Sequence, residues 1–385
     1  MHSAVPFPFQ ARVRLILAPT NIQLLIERSR QFAAAAFERA AATDSAGVID
    51  DGLWGEFRSC GLAMAAFPEP LGGVGLSAPD RQNELCTVLR LLGGADLSIA
   101  RLFEGHVNAI ALVCRYGTPS QAERLAEDVA GGALSAVWGA DDASGLKVVG
   151  DGAHTRLEGR KILASGAGFV TRPLVAAKSG DRQFMFLLRL ATDHPVDLGG
   201  WTAQGMRSSA TGTVELTGTS VGEAEAIGGA DDFTRQPFFS GGAWRFCAAH
   251  LGAMERLVEL YRDHLNSRGR GDDPYQLQRV AGCVAAVRTA RFWVEEAARR
   301  FGDDEAGGEA IVGFANMTRM VTERCALDVI EAVQRGVGLA AFIRPSPLER
   351  IGRDLSTYLR QPAPDRAMSE AARAWLQSRT AVGEF

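Results

Sequence analysis

The sequence predicts an α+β protein in three successive parts: an N-terminal helical domain over residues 1–130, a middle β-domain over 131–232 and a C-terminal helical bundle over 233–385. Three observations predict it. Apolar residues recur at three- and four-residue spacing from about Gln23 to Ala130. Short β-rich runs separated by Gly, Asp and Ser replace that pattern from Ala133 to about Val221. Long helical periodicity returns after the Gly- and Asp-rich segment Gly228–Asp232.

In the first part, alanine-rich stretches such as Phe32–Ala42 read as helix, with punctuation at Pro68, Gly72, Gly73 and Gly94. In the middle part the runs Leu134–Trp138, Leu146–Val149, Thr155–Leu163, Leu174–Ala177, Phe184–Leu190 and Gly212–Leu216 read as strands of a small antiparallel barrel or sandwich. In the last part, Ala248, Leu251, Met254, Leu257 and Tyr261, and later Val321, Cys325, Val329 and Val333, fall on helix faces.

Composition limits the function classes. Lys and Arg total 41 against 45 Asp and Glu, a net charge of -4, so nothing draws the chain broadly to nucleic acid or to an anionic membrane. Any anionic ligand must be held by local groups. No window approaches 18 uninterrupted apolar residues, and Ala4–Leu25 is broken by Pro6, Pro8, Arg12, Arg14 and Pro19, so neither a membrane span nor a signal peptide is expected. The 6 cysteines are scattered without a Cys-x-x-Cys pair, as suits reduced thiols in a cytoplasmic protein. The 6 histidines show no metal-ligand spacing, and no metal site is expected.

Four segments carry a resemblance. Phe67-Pro68-Glu69-Pro70-Leu71-Gly72-Gly73-Val74-Gly75-Leu76 is similar to a Pro-Glu-x-x-Gly-Gly-x-Gly turn, and Gly159-Arg160-Lys161-Ile162-Leu163-Ala164-Ser165-Gly166-Ala167 to a Gly-x-Lys segment. Gly205-Met206-Arg207-Ser208-Ser209-Ala210-Thr211-Gly212 resembles a Gly-Met-Arg segment leading into a strand. Pro347-Leu348-Glu349-Arg350-Ile351-Gly352-Arg353-Asp354 resembles a Pro-x-Glu-x-x-x-Arg-Asp run. Each is weak alone. In this order they resemble the flavin-dependent acyl-CoA dehydrogenase superfamily over most of the chain.

The resemblance implies FAD, an acyl-CoA or related acyl thioester as substrate, an electron-transfer partner or flavin reductase, and a homodimer or homotetramer. It places Trp138, Ala140, Leu163 and Ser165 against the flavin, with Ala140 where a threonine hydroxyl is expected. Read without it, Trp138 is a core tryptophan and Ser165 a turn serine. It also places Arg268 on the cofactor pyrophosphate of a neighbouring subunit, a task that suits a guanidinium, with Gln278, Gln334 and Gly338 near other cofactor contacts. Arg268 reads equally as a solvated loop arginine.

The family's catalytic carboxylate is the departure. Counting 8 residues past Asp354 reaches Pro362, and the alternative place on the first long bundle helix falls on Gly242. Asp365, behind Pro362 and Pro364, is the nearest carboxylate to the first place and the candidate for a relocated base; it reads also as a turn or helix cap.

The first expectation is therefore an FAD-dependent oxidoreductase performing α,β-dehydrogenation of an acyl thioester with an atypical base. A flavin monooxygenase of the same fold, supplied with reduced flavin and needing no such base, is the alternative; His106 could act there as acid or base, or be an ordinary helix histidine. A silent ligand- or partner-binding scaffold is the third. Gly218–Gly222 matches a Gly-x-Ser-x-Gly elbow but lacks a strong helix after it. Gly336–Ala341 matches a dinucleotide fingerprint but follows a helical pattern instead of a strand.

Overall fold

The computed structural model describes residues 21–302, 307–360 and 363–384. Most of the proline-broken stretch Ala4–Leu25 lies outside the described residues. The first part contains α1 (Ile22–Ala46), α2 (Asp51–Ser59), α3 (Gln82–Ala95), α4 (Leu97–Tyr116) and α5 (Pro119–Ala130). Local chemistry starts most of them. Side chains of Asn21, Asp50 and Asp96 accept the first free N–H groups of α1, α2 and α4, and Thr118 with Gln121 forms a reciprocal capping box on α5. By length and hydropathy α4 could cross a membrane, yet 72% of that stretch is buried inside the protein, as a central core helix is.

The middle part contains β1 (Ser135–Trp138), β2 (Lys147–Val149), β3 (Arg156–Glu158), β4 (Arg160–Ala164), β5 (Arg172–Ser179), β6 (Arg182–Leu187), β7 (Val196–Asp197), β8 (Gly212–Glu215) and β9 (Ala226–Ile227). One sheet runs β3-β2-β5-β6-β9 with β1 also on β5; the other runs β4-β8-β7. Most pairs are antiparallel, but β1 runs parallel to β5, from Ser135 opposite Arg172 to Trp138 opposite Val175. The middle part is thus mainly antiparallel, as expected, with β1 and β2 joining β5 in parallel. Alternating hydrophobicity does not encode strand direction, and the long stretch between Trp138 and Arg172 supplies the crossover that a parallel pair needs.

The single run Thr155–Leu163 divides at Gly159, which sits at φ +115° with its would-be Cβ 2.6 Å from the Gly145 carbonyl oxygen. There the chain leaves one sheet for the other. β7 and β9 are two residues each, too short to register as a pattern.

The last part contains α6 (Trp244–Ser267), α7 (Pro274–Phe301), α8 (Gly308–Val337), α9 (Pro347–Tyr358) and α10 (Pro364–Gln377). α6 packs directly on α3. A Cβ at Gly93 would stand 2.1 Å from the Ala249 carbonyl oxygen and one at Gly252 1.9 Å from that of Arg90. Two small residues thus let helices of the first and last parts touch backbone to backbone. Buried Trp138, Trp244, Tyr261, Phe57, Phe67 and Phe103 belong to one continuous core spanning all three parts.

Candidate active site

α4 builds one wall of a cavity of about 930 Å³. Its Glu104, Asn108 and Arg115 recur at helical spacing on an otherwise apolar helix, so they share a face, and that face looks into the cavity. The start of α6, with α8, α10 and the turn at Pro68 and Ser77, completes the lining. Phe233, Phe238, Phe239, Phe246 and Phe301 supply aromatic surface, and the Arg115 guanidinium lies 3.6 Å over the Phe238 ring. Size and mixed polarity suit a small-molecule site.

The carboxylates on this surface are committed. Glu104 accepts hydrogen bonds from Arg101 and, at 2.5 Å, from Asn108 Nδ2. Glu370 pairs with Arg366 at 2.6 Å. Arg245 is different: it is 6% exposed, and its Nη1 and Nη2 donate to the neutral oxygens Asn108 Oδ1 (3.1 Å) and Gln82 Oε1 (3.4 Å). Its Nε has no partner. Burial pulls its pKa down to about 10, with Glu104 opposing the shift from a distance. A Cβ at Gly242 would stand 2.6 Å from Arg245 Nη1, so the guanidinium occupies the space above that glycine. Asn316, 2% exposed, also lines the cavity with its Nδ2 unpartnered.

Trp138, Ala140, Leu163 and Ser165 come together beside this cavity, where the neighbouring Val137 lines it. Trp138 is buried and its Nε1 donates to the Ser165 carbonyl at 3.0 Å; the Ala140 carbonyl accepts the Ile162 N–H at 3.0 Å. The β4–β8 register jumps from Lys161 opposite Val214 to Ala164 opposite Gly212. Leu163 sits on this bulge at φ +52° and is 60% exposed, an apolar side chain turned outward. The Ser165 hydroxyl accepts from Thr211 Oγ1 at 3.5 Å.

The other four sit elsewhere. Arg268 caps the C-terminus of α6 and is exposed, Gln278 is exposed near the start of α7, and Gln334 and Gly338 stand at the end of α8, where the Gln334 carbonyl accepts the Gly338 N–H. Along α6, 23 residues at about 1.5 Å each put roughly 35 Å between Arg268 and Arg245.

Asp365 does not turn inward. It lies exposed in the first turn of α10, outside the cavity lining, while Arg366 and Glu370 of the same helix face in. Gln361 and Pro362 lie outside the described residues. His106 is fully buried: Nε2 lies 2.8 Å from the Ala63 carbonyl oxygen, and Nδ1 accepts the Ser135 N–H at 3.0 Å. Desolvation pushes it down to about 4, so it is a neutral joint between α4 and β1 and is not free to move protons. Gly218–Gly222 is a loop beside β3, with Ser220 bridged to Arg156, and Gly336 lies in the last turn of α8 with no strand before it, so neither motif has the context its chemistry needs. Among the described residues no group of three or more His, Cys, Asp or Glu is placed to hold a metal.

Reading the sequence alone missed Arg245, Asn316, Glu104 and Asn108 as site residues. The α4 stripe was the available signal. Nothing local marks Arg245 or Asn316, each one polar residue among several on a long helix.

Residues 20–133 match the acyl-CoA dehydrogenase N-terminal domain and residues 244–360 the acyl-CoA dehydrogenase C-terminal domain. The amino sugar nitrososynthase DnmZ of Streptomyces peucetius is 26% identical over 329 residues, covering 79% of this chain and 80% of that one. Dibenzothiophene monooxygenase of Mycolicibacterium goodii is 23% identical over 388 residues, covering 88% and 89%. The structure of FMN-bound TdsC from Paenibacillus sp. A11-2 superposes with a TM-score of 0.81 at 20% identity, over 94% of this chain and 99% of that one. With both helical domains matched and the helix–sheet–helix fold shared, the chain belongs to the acyl-CoA dehydrogenase superfamily, as a divergent member with Pro362 and Gly242 where its catalytic glutamate is sought.

Proposed function

We propose that this chain is a flavin-dependent monooxygenase, using reduced flavin and dioxygen on an organic substrate bound in the cavity between α4, α6, α8 and α10. One observation carries the reading: among the described residues the carboxylates on the cavity surface, Glu104 and Glu370, are each engaged by an arginine, and none of them is left to act as base on an α-proton. Removing a positioned base costs on the order of 10²–10⁴ in rate, which weighs against thioester dehydrogenation. The relatives named nitrososynthase and monooxygenase favour the same choice.

The residues fit a planar, largely apolar ring. Leu163 offers an exposed apolar surface on its bulge, the Ser165 hydroxyl stands two residues on, and Trp138 fixes the Ser165 carbonyl from beneath. Reduced flavin, when bound, supplies the activation of dioxygen. The chain supplies position and a phenylalanine-rich wall that limits water. Arg268, Gln278, Gln334 and Gly338, which stand outside the cavity lining, would meet the flavin of a neighbouring subunit in a homodimer or homotetramer. A partner reductase in the cytoplasm would deliver the reduced cofactor.

The test is titration of flavin-free protein with FMN and with FAD, followed by oxygen uptake and isotope incorporation from ¹⁸O₂ with a separate flavin reductase. Tight flavin binding with substrate-dependent incorporation is expected. Anaerobic bleaching of bound flavin by an acyl-CoA would restore the dehydrogenase reading, and failure to bind either flavin would leave a silent scaffold.

A further inference from the structure

We propose that the substrate carries a carboxylate, that Arg245 receives it, and that the phenylalanine walls of the cavity hold the substrate's aromatic or apolar body. This inference rests on the cavity being the substrate site. A guanidinium 6% exposed, with only neutral oxygens on Nη1 and Nη2 and no carboxylate within ion-pair reach among the described residues, is a charge buried without its counter-ion. Such a charge is costly unless something bound compensates it. Its unpartnered N–H is Nε, and Asn316 Nδ2 is a second unpartnered donor on the same cavity. Among the described residues the lining holds Arg115, Arg245 and Arg319 against Glu104, while Arg366, 78% exposed, is paired with Glu370. The field inside therefore favours an anion.

The guanidinium carries five N–H groups, and its two hydrogen bonds leave Nε–H and one N–H on each Nη for the oxygens of a bound anion. A carboxylate's single negative charge matches one uncompensated guanidinium, whereas a phosphate monoester carries nearly two. Gly242 contributes by absence: a side chain there would displace the guanidinium from its seat.

The experiment is isothermal titration of flavin-free full-length protein with 4-phenylbutyrate and indole-3-acetate, their primary amides, and phenyl phosphate. Both acids should bind at least tenfold more tightly than their amides and than phenyl phosphate. In Arg245→Gln the acid-to-amide preference should fall at least tenfold while amide binding stays within threefold. Should that variant fail to fold, Asn316→Asp, nearly isosteric, sets a carboxylate on the same wall and should weaken acid binding at least fivefold. Equal binding of acid and amide, a preference for phenyl phosphate, or no binding by any probe would overturn the proposal. Flavin binding is measured separately in the same preparations. Flavin bound without carboxylate preference refutes this inference and leaves the monooxygenase standing; carboxylate preference without flavin binding does the reverse.

Discussion

Asp354 Oδ1 on α9 accepts the backbone N–H of Met206 at 2.7 Å, tying the C-terminal bundle to the loop before β8 across 148 positions of sequence. Met206 holds φ +58°, a left-handed conformation that a non-glycine residue adopts only when its surroundings enforce it. Burial pushes the Asp354 carboxyl up to about 7, and nearby Asp96 adds to the shift, while the Met206 N–H and Arg353 oppose it.

That shift predicts a pH dependence. Between about pH 4 and pH 7 the folded carboxyl keeps a proton that the unfolded chain has released, so this group's contribution to stability falls as pH rises through the window. Asp354→Asn keeps an acceptor for the Met206 N–H and loses the titration. Its stability relative to the parent should therefore improve by roughly 2–4 kcal/mol between pH 4.5 and 7.5, since a tenfold change in proton affinity is worth about 1.4 kcal/mol. Urea melts at the two pH values check this; parallel curves would mean that Asp354 is ionised in the folded protein throughout.

His106→Ala should destabilise the fold by about 2–4 kcal/mol, because it strips partners from two buried backbone groups, the Ala63 carbonyl and the Ser135 N–H. Carboxylate binding, measured well below the melting temperature, should stay within twofold. A large loss of binding in a stably folded variant would return His106 to the site.

Gly159→Ala should cost roughly 1–3 kcal/mol or more, through the strain of an L-residue at φ +115° and the contact with the Gly145 carbonyl. Thermal melts read the loss directly. A neutral effect would show that the corner between the two sheets can relax.

Asp365→Asn should leave substrate-dependent oxygen uptake within twofold, since the carboxylate faces away from the cavity. Removing a negative charge from the first turn of α10 should cost only about 0.3–1 kcal/mol. Loss of turnover would show that α10 rearranges to bring Asp365 inward.

Much of the fold was legible because helix and strand identity rests on local periodicity. The expected strands appear within two or three residues of their anticipated ends, and the side chains of Asp50, Asp96 and Thr118 start their helices as such residues do. Where the reading fell short, the cause was non-local. The direction of β1 against β5 and the division of one run at Gly159 depend on which distant backbone arrives alongside.

The site divides along the same line. Trp138, Ala140, Leu163 and Ser165 stand together because they flank β1 and the end of β4, which the Ile162-to-Ala140 hydrogen bond joins. Asp365 was a candidate through proximity in sequence, but helical geometry on α10 turns Arg366 and Glu370 toward the cavity instead.

By itself the sequence determined the order of helical, sheet and helical parts and the lack of a glutamate at 362 and 242, properties of neighbouring residues or of residue identity. Only the tertiary structure decided that Arg245 would be buried with no counter-ion among the described residues. Gln82 on α3, Asn108 on α4, Gly242 before α6 and Phe301 on α7 all close around it. A missing partner belongs to the whole enclosure, and no run of adjacent residues can encode it.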